Sequence, residues 1–248
     1  MFYEPDDNAA IRRLQTEAEA YDPASHNNKR IKCLLLLREQ TTLWLLQTVG
    51  IPEDLYRKAD VLATTAEDLM AKTIFVKLPF SKTSFPSLDR ITIDRNSDQT
   101  VHLLIVGMTP LAEAMAVNAA LVAHYPNYCR DSRLRTRITI LDDNIFELRD
   151  HLLQRYCHLF DNSYYRTIDL TDSNPHNELH RPMYEGRRTD FVDVEWEFVN
   201  GNLRNDAMRR KVSEWSVSTT QQLTIVICHN DDTRNYNEAF SLPETTYK

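Results

Sequence analysis

Hydrophobic residues in this chain form short continuous runs, and each run is followed by a stretch with helical spacing. The runs at Ile31–Leu37 (IKCLLLL) and 101–106 (VHLLIV) have the length and content of buried strands. In the residues after them, apolar positions recur every three or four residues, which is typical of a helix that packs on one face. The pattern predicts an α/β fold.

The alternation of strands and helices becomes regular from residue 101 onward. Parallel strands joined by right-handed helical crossovers form a Rossmann-like, doubly wound, mostly parallel sheet, which is the fold that we predict. A polar connection at 161–190 interrupts the pattern, and connections of this length commonly carry function. The predicted strands are 101–106, 137–141, 191–199 and 223–229, and the predicted helices are 110–124, 144–160, 205–215 and 233–240.

The first hundred residues have a less regular pattern. We predict a flexible lead-in at 1–30 with a helix at 8–20, a partial α/β segment and connector at 31–100, and the Rossmann-like domain at 101–248. The segment 31–100 is expected to hold a fully buried strand at Ile31–Leu37, helices at 39–48 and 65–76 with Thr65 as a cap, and a short strand at 90–93. Both ends interrupt a regular pattern, so we expect the chain to be part of a longer protein with tandem domains.

Composition and charge exclude several classes of function. The 248 residues are 42% hydrophobic and 26% charged, with a net charge of -7 and no basic run, which argues against a nucleic-acid-binding protein. The sequence has no signal peptide and no apolar run long enough to cross a bilayer. The four cysteines are scattered, which favours reduced thiols. We therefore expect a cytoplasmic protein, and docking to a membrane protein stays compatible with this.

The turn after the strand at 101–106 resembles a dinucleotide-binding turn that keeps one of three glycines. Gly107 takes the first position, and Ala112 takes the third, where alanine is tolerated. Thr109 stands at the second position, where a Cβ atom crowds a phosphate. Thr109 can also cap the next helix, Pro110 has no N–H, and Glu113 repels an anion. Two interpretations stay open, a nucleotide-binding turn and a helix end that satisfies itself.

Acidic residues follow two of the predicted strands and complete the candidate site. Asp142 and Asp143 follow the strand at 137–141, where an acid would hold a ribose, although either can also cap the next helix. Asp231 and Asp232 follow the last strand, at the edge where open α/β sheets bind ligands, and they too fit a helix cap. The candidate cofactor-binding residues are Gly107, Met108, Thr109, Asp142, Asp143, Asp231 and Asp232.

Four stretches resemble, in the right order, the nucleotide-binding domain of potassium-transport regulators, the TrkA-N or RCK family. HLLIVGMTPLAEAMA resembles the first strand, turn and helix of that domain, and ITILDDN resembles its second strand. FVNGNLRNDAMRR resembles its third strand with a Gly-Asp pair, in which Asn202 replaces the aspartate. QLTIVICHNDDTRNYNEAF resembles its fourth strand and an Asp-x-x-Asn segment, with Asp232 and Asn235 in those places. Residues 65–72 and the long helix near His124 are similar to a tandem form.

The resemblance implies a non-catalytic regulatory domain that senses a ligand. In that family the ligand is NAD(H) or an adenine nucleotide, and Asp142 would be the residue that holds the ribose. The resemblance also implies a homo-oligomer, usually a dimer, beside a membrane transporter or channel. The departures at Thr109, Pro110 and Asn202 bear on the nucleotide site and not on the fold.

Catalytic and metal-binding patterns are weak in this sequence. His151 and His158 are seven residues apart, and His176 and His180 are four apart, but zinc sites need three or four converging ligands. Cys157 and His158 are adjacent on a helix and point in different directions. We expect no metal and no catalytic residue. The alternatives are a nucleotide-dependent enzyme, either a dehydrogenase or a ThiF-like adenylating enzyme, and an interaction scaffold that has lost its ligand.

Overall fold

The computed structural model describes residues 6–27, 29–75, 87–170, 178–183 and 193–247. The chain divides into two compact units, Met1–Met70 and Ala71–Lys248. The predicted boundary at residue 101, where the sequence becomes regular, lies inside the second unit. None of the described helices is long and apolar enough to cross a membrane.

The elements alternate between strands and helices through most of the chain. The strands are β1 (Ile31–Leu37), β2 (Ala59–Thr65), β3 (Thr100–Val106), β4 (Thr136–Asp142), β5 (Tyr164–Asp169), β6 (Val194–Asn200) and β7 (Gln221–Ile227). The helices are α1 (Asp7–Ala20), α2 (Gln40–Val49), α3 (Glu53–Lys58), α4 (Ala66–Phe75), α5 (Pro110–Val122), α6 (Ile145–Arg155), α7 (Cys157–Asp161), α8 (Asp206–Val217) and α9 (Asp232–Phe240).

The first unit contains a two-stranded parallel sheet in which β1 pairs with β2. Leu35 and Leu37 are buried and pack with Leu43 of α2, whereas Leu34 and Leu36 on the other face are 58% and 54% exposed. The strand at Ile31–Leu37 was predicted to be fully buried, and this prediction is wrong. The described helices cover one face of a pair of strands, so alternate leucines of β1 remain in contact with solvent.

The second unit is built on a five-stranded sheet with the order β5-β6-β4-β3-β7, and every pair of neighbouring strands is parallel. Strands β6, β4, β3 and β7 have the 3-2-1-4 order of a doubly wound fold, and β5 is added at the edge beside β6. The predicted Rossmann-like parallel sheet is therefore confirmed.

Each face of this sheet carries a cluster of buried apolar side chains. Trp196 and Phe198 of β6 are fully buried on one face, with Ile138 and Ile140 of β4 and the small residues of α5 around them. On the other face, a second cluster includes Leu104 and Met208, the latter from α8. Four alanines of α5 pack into the first cluster, and this run of small side chains allows the helix to lie close to the sheet.

The second face also holds a buried polar layer near the amino ends of its strands. His102 is fully buried, and its Nε2 atom lies 2.8 Å from the Thr139 hydroxyl oxygen. Thr139 donates a hydrogen bond of 2.8 Å to Glu197. Arg166 pairs with Glu197 at 2.8 Å and also with Glu195, and both carboxylates are buried. These residues form one connected hydrogen-bond network in the interior of the sheet.

Several predicted elements need correction. The helix predicted at 144–160 is two helices, α6 and α7, because Tyr156 has a non-helical backbone with ψ of 42°. Residues 87–99 contain no strand, so the strand predicted at 90–93 is wrong. Instead, the side chain of Gln222 in β7 pairs with the backbone of Ile91 through bonds of 2.7 and 2.8 Å. Strands β2 and β5 and helix α3 had not been predicted.

Candidate functional site

The carboxyl ends of β3 and β7 mark the point where the strand order reverses. Chain connections leave β3 toward α5 and β7 toward α9, and ligands of open α/β sheets bind in the crevice between such connections. The structure brings together here the Gly107 turn, Asp142 at the end of β4 and the residues after β7. This edge of the sheet is the candidate functional site.

His229 occupies the space in front of the glycine turn. Gly107 has a backbone φ of +85°, a conformation that residues other than glycine rarely adopt. A Cβ atom at this residue would lie 2.3 Å from Nδ1 of His229 and 2.5 Å from its Cε1. Gly107 is therefore required by the close approach of an imidazole, in the place where a dinucleotide fold brings in a pyrophosphate.

The side chain of Asn235 forms hydrogen bonds with both backbone polar groups of His229. Its Oδ1 atom accepts a hydrogen bond of 2.7 Å from the His229 N–H, and its Nδ2 donates one of 2.9 Å to the His229 carbonyl oxygen. Burial lowers the pKa of His229, and the nearby guanidinium of Arg234 lowers it further, so the neutral imidazole is favoured. The Nε2 atom of this ring is buried and has no hydrogen-bond partner among the described residues.

Asp142 uses both carboxylate oxygens on the backbone. Oδ2 accepts a hydrogen bond of 3.0 Å from the Met108 N–H, and Oδ1 accepts one of 2.8 Å from the Asn144 N–H. The Met108 amide is one of the groups that a phosphate could bind in this turn. The N-cap position of α6 is Asn144, whose side chain makes no capping hydrogen bond, so the cap predicted for Asp142 or Asp143 is not formed. Asp142 instead links the two turns at this edge.

The first turn of α5 is satisfied by its own residues. The hydroxyl of Thr109 accepts a hydrogen bond of 3.2 Å from the Ala112 N–H, as predicted for a cap, and it lies 2.9 Å from Sγ of Cys228. Glu113 accepts bonds from Arg155 at 2.6 Å and from the Tyr156 hydroxyl at 2.9 Å. Glu113 is thereby held beside the helix terminus in an ion pair with Arg155.

An ion pair connects the far ends of the site. Arg234 of α9 lies 3.2 Å from Asp143, which follows β4, and Nδ2 of Asn202 donates a bond of 3.0 Å to the other oxygen of Asp143. Asn202 stands where the resembled family has an aspartate. A second carboxylate there would face Asp143, whereas the amide supplies a donor. This part of the edge is also closed by contacts within the chain.

Asp231 is the N-cap of α9. Its Oδ1 accepts hydrogen bonds of 2.8 Å from the Thr233 N–H and 3.3 Å from the Arg234 N–H, whereas Asp232 is exposed in the first turn. Replacing Asp231 with alanine is expected to lower the free energy of unfolding by about 1 kcal/mol. Asp232→Ala is the matched control and should cost only about 0.3 kcal/mol. Urea unfolding measures both, and equal losses would show that Asp231 does not act through its cap.

The histidine and cysteine candidates are dispersed. His180 stacks on Tyr165 with ring centroids 4.2 Å apart, and His176 lies outside the described residues. His151 contacts Glu147 at 3.8 Å on an exposed helix face. Among the described residues, no three His, Cys, Asp or Glu side chains form a group that could hold a metal ion.

Two residues that shape this site had not been selected from the sequence. His229 is the second residue after β7, and Arg234 lies in the first turn of α9. Their position at the switch point could be inferred from the sequence. In a parallel sheet, the predicted strand 223–229 ends at the same edge as the strand that precedes the glycine turn. The direction of the imidazole, toward Gly107, depends on Asn235 and could not be derived from the pattern.

Comparison of the chain with protein-family models, with curated proteins and with solved structures finds no match.

Proposed function

We propose that this protein carries a non-catalytic regulatory domain of the TrkA-N/RCK type, whose nucleotide-binding edge is closed by its own side chains. The observation that supports the proposal is the close approach of the His229 ring to Gly107, at the turn where a dinucleotide-binding fold would hold a phosphate. The Met108 amide is engaged by Asp142, and the α5 terminus by Thr109. NAD(H) or an adenine nucleotide then binds weakly, and only when His229 moves aside.

The proposed regulatory role needs two arrangements of this edge. A ligand shifts such an equilibrium only by its differential affinity for the two arrangements. His229 against Gly107 is one arrangement, and His229 turned away, with a phosphate beside Gly107, is the other. Following the family resemblance, the partners that respond to this conformational change are a second copy of the chain in a homodimer and a membrane transporter or channel.

The test is nucleotide titration of wild type, Thr109→Gly, His229→Ala and the double variant. We expect wild type and Thr109→Gly to show no saturable heat with NAD⁺, NADH or AMP up to about 1 mM. Thr109→Gly alone leaves the imidazole and Asp142 in place. His229→Ala removes the ring, and we expect its affinity to rise at least about tenfold, which corresponds to about 1.4 kcal/mol.

Other outcomes separate the alternatives. Wild-type binding in the micromolar range would contradict a closed edge. No binding by His229→Ala or the double variant would favour a scaffold without a nucleotide pocket. Hydride transfer or pyrophosphate release by purified protein would favour the dehydrogenase or adenylating enzyme. Ser216→Ala on α8 is a neutral control, since Ser216 bonds Thr245 at 2.7 Å and none of the site residues.

A further inference from the structure

One face of the two-stranded sheet in the first unit carries exposed leucines. Leu34 and Leu36 of β1 are 58% and 54% exposed, and Leu62 of β2 is 62% exposed. Leu34 pairs with Leu62 in the register of the strands, so the two side chains leave the sheet on the same face. Lys32 and Asp60, which also pair in this register, lie two residues earlier on that face. We call the surface formed by these five residues the leucine face.

An open face is unusual for a parallel sheet. Sheets built only of parallel strands occur almost entirely with both faces covered. The other face of this sheet is covered by α1, α2 and α3, which contribute Leu14, Leu43 and Leu55 to its apolar clusters. The three leucines of the leucine face belong to neither cluster, and each is more than half exposed. The leucine face is therefore a surface that a parallel sheet normally covers.

The leucine face carries one charge of each sign at the same end. Lys32 is exposed and forms no hydrogen bond or ion pair with another described residue. Asp60, beside it on β2, is 53% exposed in its side chain and pairs with Arg30 at 2.6 Å. A surface that covers the leucine face should therefore place an acid opposite Lys32, a base opposite Asp60 and apolar side chains opposite the leucines.

We propose that the leucine face is the contact surface between two copies of this chain, related by a two-fold axis parallel to the strands. Such an axis lays β1 of one copy over β2 of the other, with the sheets about 10 Å apart. Lys32 of each copy then lies opposite Asp60 of the other copy. In the same way, Leu34 lies opposite Leu62. The leucine face is thus complementary to itself in charge and in apolar content.

The charges also select this axis over the alternative. A two-fold axis perpendicular to the strands would lay β1 over β1 of the other copy and β2 over β2. Lys32 would then face Leu36, and Asp60 would face Thr64, so the charges would meet no opposite charge across the contact. Charged groups brought against an apolar surface lose hydration without compensation, which disfavours this arrangement.

The size of the leucine face indicates a weak dimer. Strands of seven residues, with a rise of about 3.3 Å per residue and a spacing of about 4.8 Å, give a footprint of roughly 23 Å by 10 Å in each copy. Stable complexes bury about 800 Å² per partner, and this footprint is well below that value. We therefore expect a reversible dimer with a Kd of about 0.1 mM.

Sedimentation equilibrium of the full chain, from about 10 μM to about 1 mM, measures this dimer. Leu62→Glu places a charge in the centre of the leucine face and should raise the Kd at least about tenfold. Leu45→Glu is the matched control and should leave the Kd unchanged, since Leu45 is 47% exposed on α2 and lies outside the leucine face. A wild-type chain that stays monomeric at about 1 mM would overturn the proposal. Coverage of the face from within the chain, or by an unrelated protein, would give that result.

A charge exchange tests the two-fold arrangement. Lys32→Glu sets two acids opposite each other, and Asp60→Lys sets two bases opposite each other, so each should raise the Kd at least about threefold. The double variant Lys32→Glu/Asp60→Lys again has one charge of each sign and should return the Kd to within about twofold of wild type. Circular dichroism checks that each variant is folded, and the charge variants decide if Leu62→Glu is not. A double variant as weak as the single variants would overturn the arrangement.

A homodimer is part of the proposed function, and the leucine face gives it a surface, but this test does not depend on the nucleotide edge. Without nucleotide, His229→Ala should leave the Kd of the dimer within about twofold of wild type. Leu62→Glu should likewise leave the nucleotide titrations as they are in wild type. Failure of the dimer and failure of nucleotide binding are therefore separate results.

Discussion

Gly107→Ala is expected to lower the free energy of unfolding by about 2–5 kcal/mol, more than any other exchange of one glycine for alanine at this edge. Two costs add. The backbone at φ of +85° disfavours an L side chain by about 1–2 kcal/mol. The new Cβ would also lie 2.3 Å from the His229 ring, which must move from its place against the turn. Urea unfolding with a constant m value measures the loss.

A double-mutant cycle with His229→Ala isolates the second cost. With the ring removed, Gly107→Ala should cost only the backbone strain of about 1–2 kcal/mol, so the two substitutions are coupled by about 1–3 kcal/mol. Gly50 has φ of +80°, and a Cβ atom there would meet no atom within 4 Å, so Gly50→Ala shows the strain without a clash. If the losses in free energy of unfolding from Gly107→Ala and His229→Ala were additive, the imidazole would not be in contact with this turn.

Acid is expected to destabilise the protein through His102. Burial lowers the pKa of His102 to about 3, and the positive charge of Arg137 contributes, against 6.5 for an unperturbed histidine. Between these values the unfolded chain binds a proton that the folded chain does not, so stability falls as the pH falls. The contribution of the neutral His102 side chain to the free energy of unfolding is complete above pH 6.5. It is lost progressively toward pH 3, with a limiting slope of about 1.4 kcal/mol per pH unit.

His102→Gln removes this titration and leaves the other groups unchanged. The glutamine amide can still donate to Thr139, the partner of Nε2 at 2.8 Å. We expect the free energy of unfolding of wild type, relative to that of the variant, to fall by about 1.4 kcal/mol per pH unit as the pH is lowered from roughly 6 to 4. Urea unfolding at several pH values measures the difference. A difference that stays constant with pH would show that His102 takes up its proton in the folded protein.

The regular part of the fold was predictable because its strands are rich in aliphatic residues. Strands β3, β4 and β7 each contain several closely spaced aliphatic residues, and each is followed by a helical pattern, which is sufficient to identify them. Strand β5 was missed because Arg166, one of its central residues, points to an ion pair with Glu195 and Glu197 rather than to an apolar core. Strand β2 was missed for a similar reason, since ADVLATT has no continuous apolar run.

The candidate site was predictable only in its local chemistry. The cap formed by Thr109 depends on residues three positions apart, and sequence spacing is sufficient to find it. The bond from Met108 to Asp142 and the contact of His229 with Gly107 join residues more than thirty positions apart. Such contacts depend on side-chain directions at the sheet edge, which strand and helix patterns do not specify.

The contact between Gly107 and His229 changes how a glycine in a fingerprint is interpreted. Selection can retain glycine at this turn for an imidazole as strongly as for a phosphate, because a Cβ atom is excluded in both cases. In sequences that share this arrangement, the two positions should covary, with a bulky residue after the last strand found only beside glycine. The covarying histidine, rather than the glycine alone, would then distinguish chains with a filled turn from those that keep a cofactor.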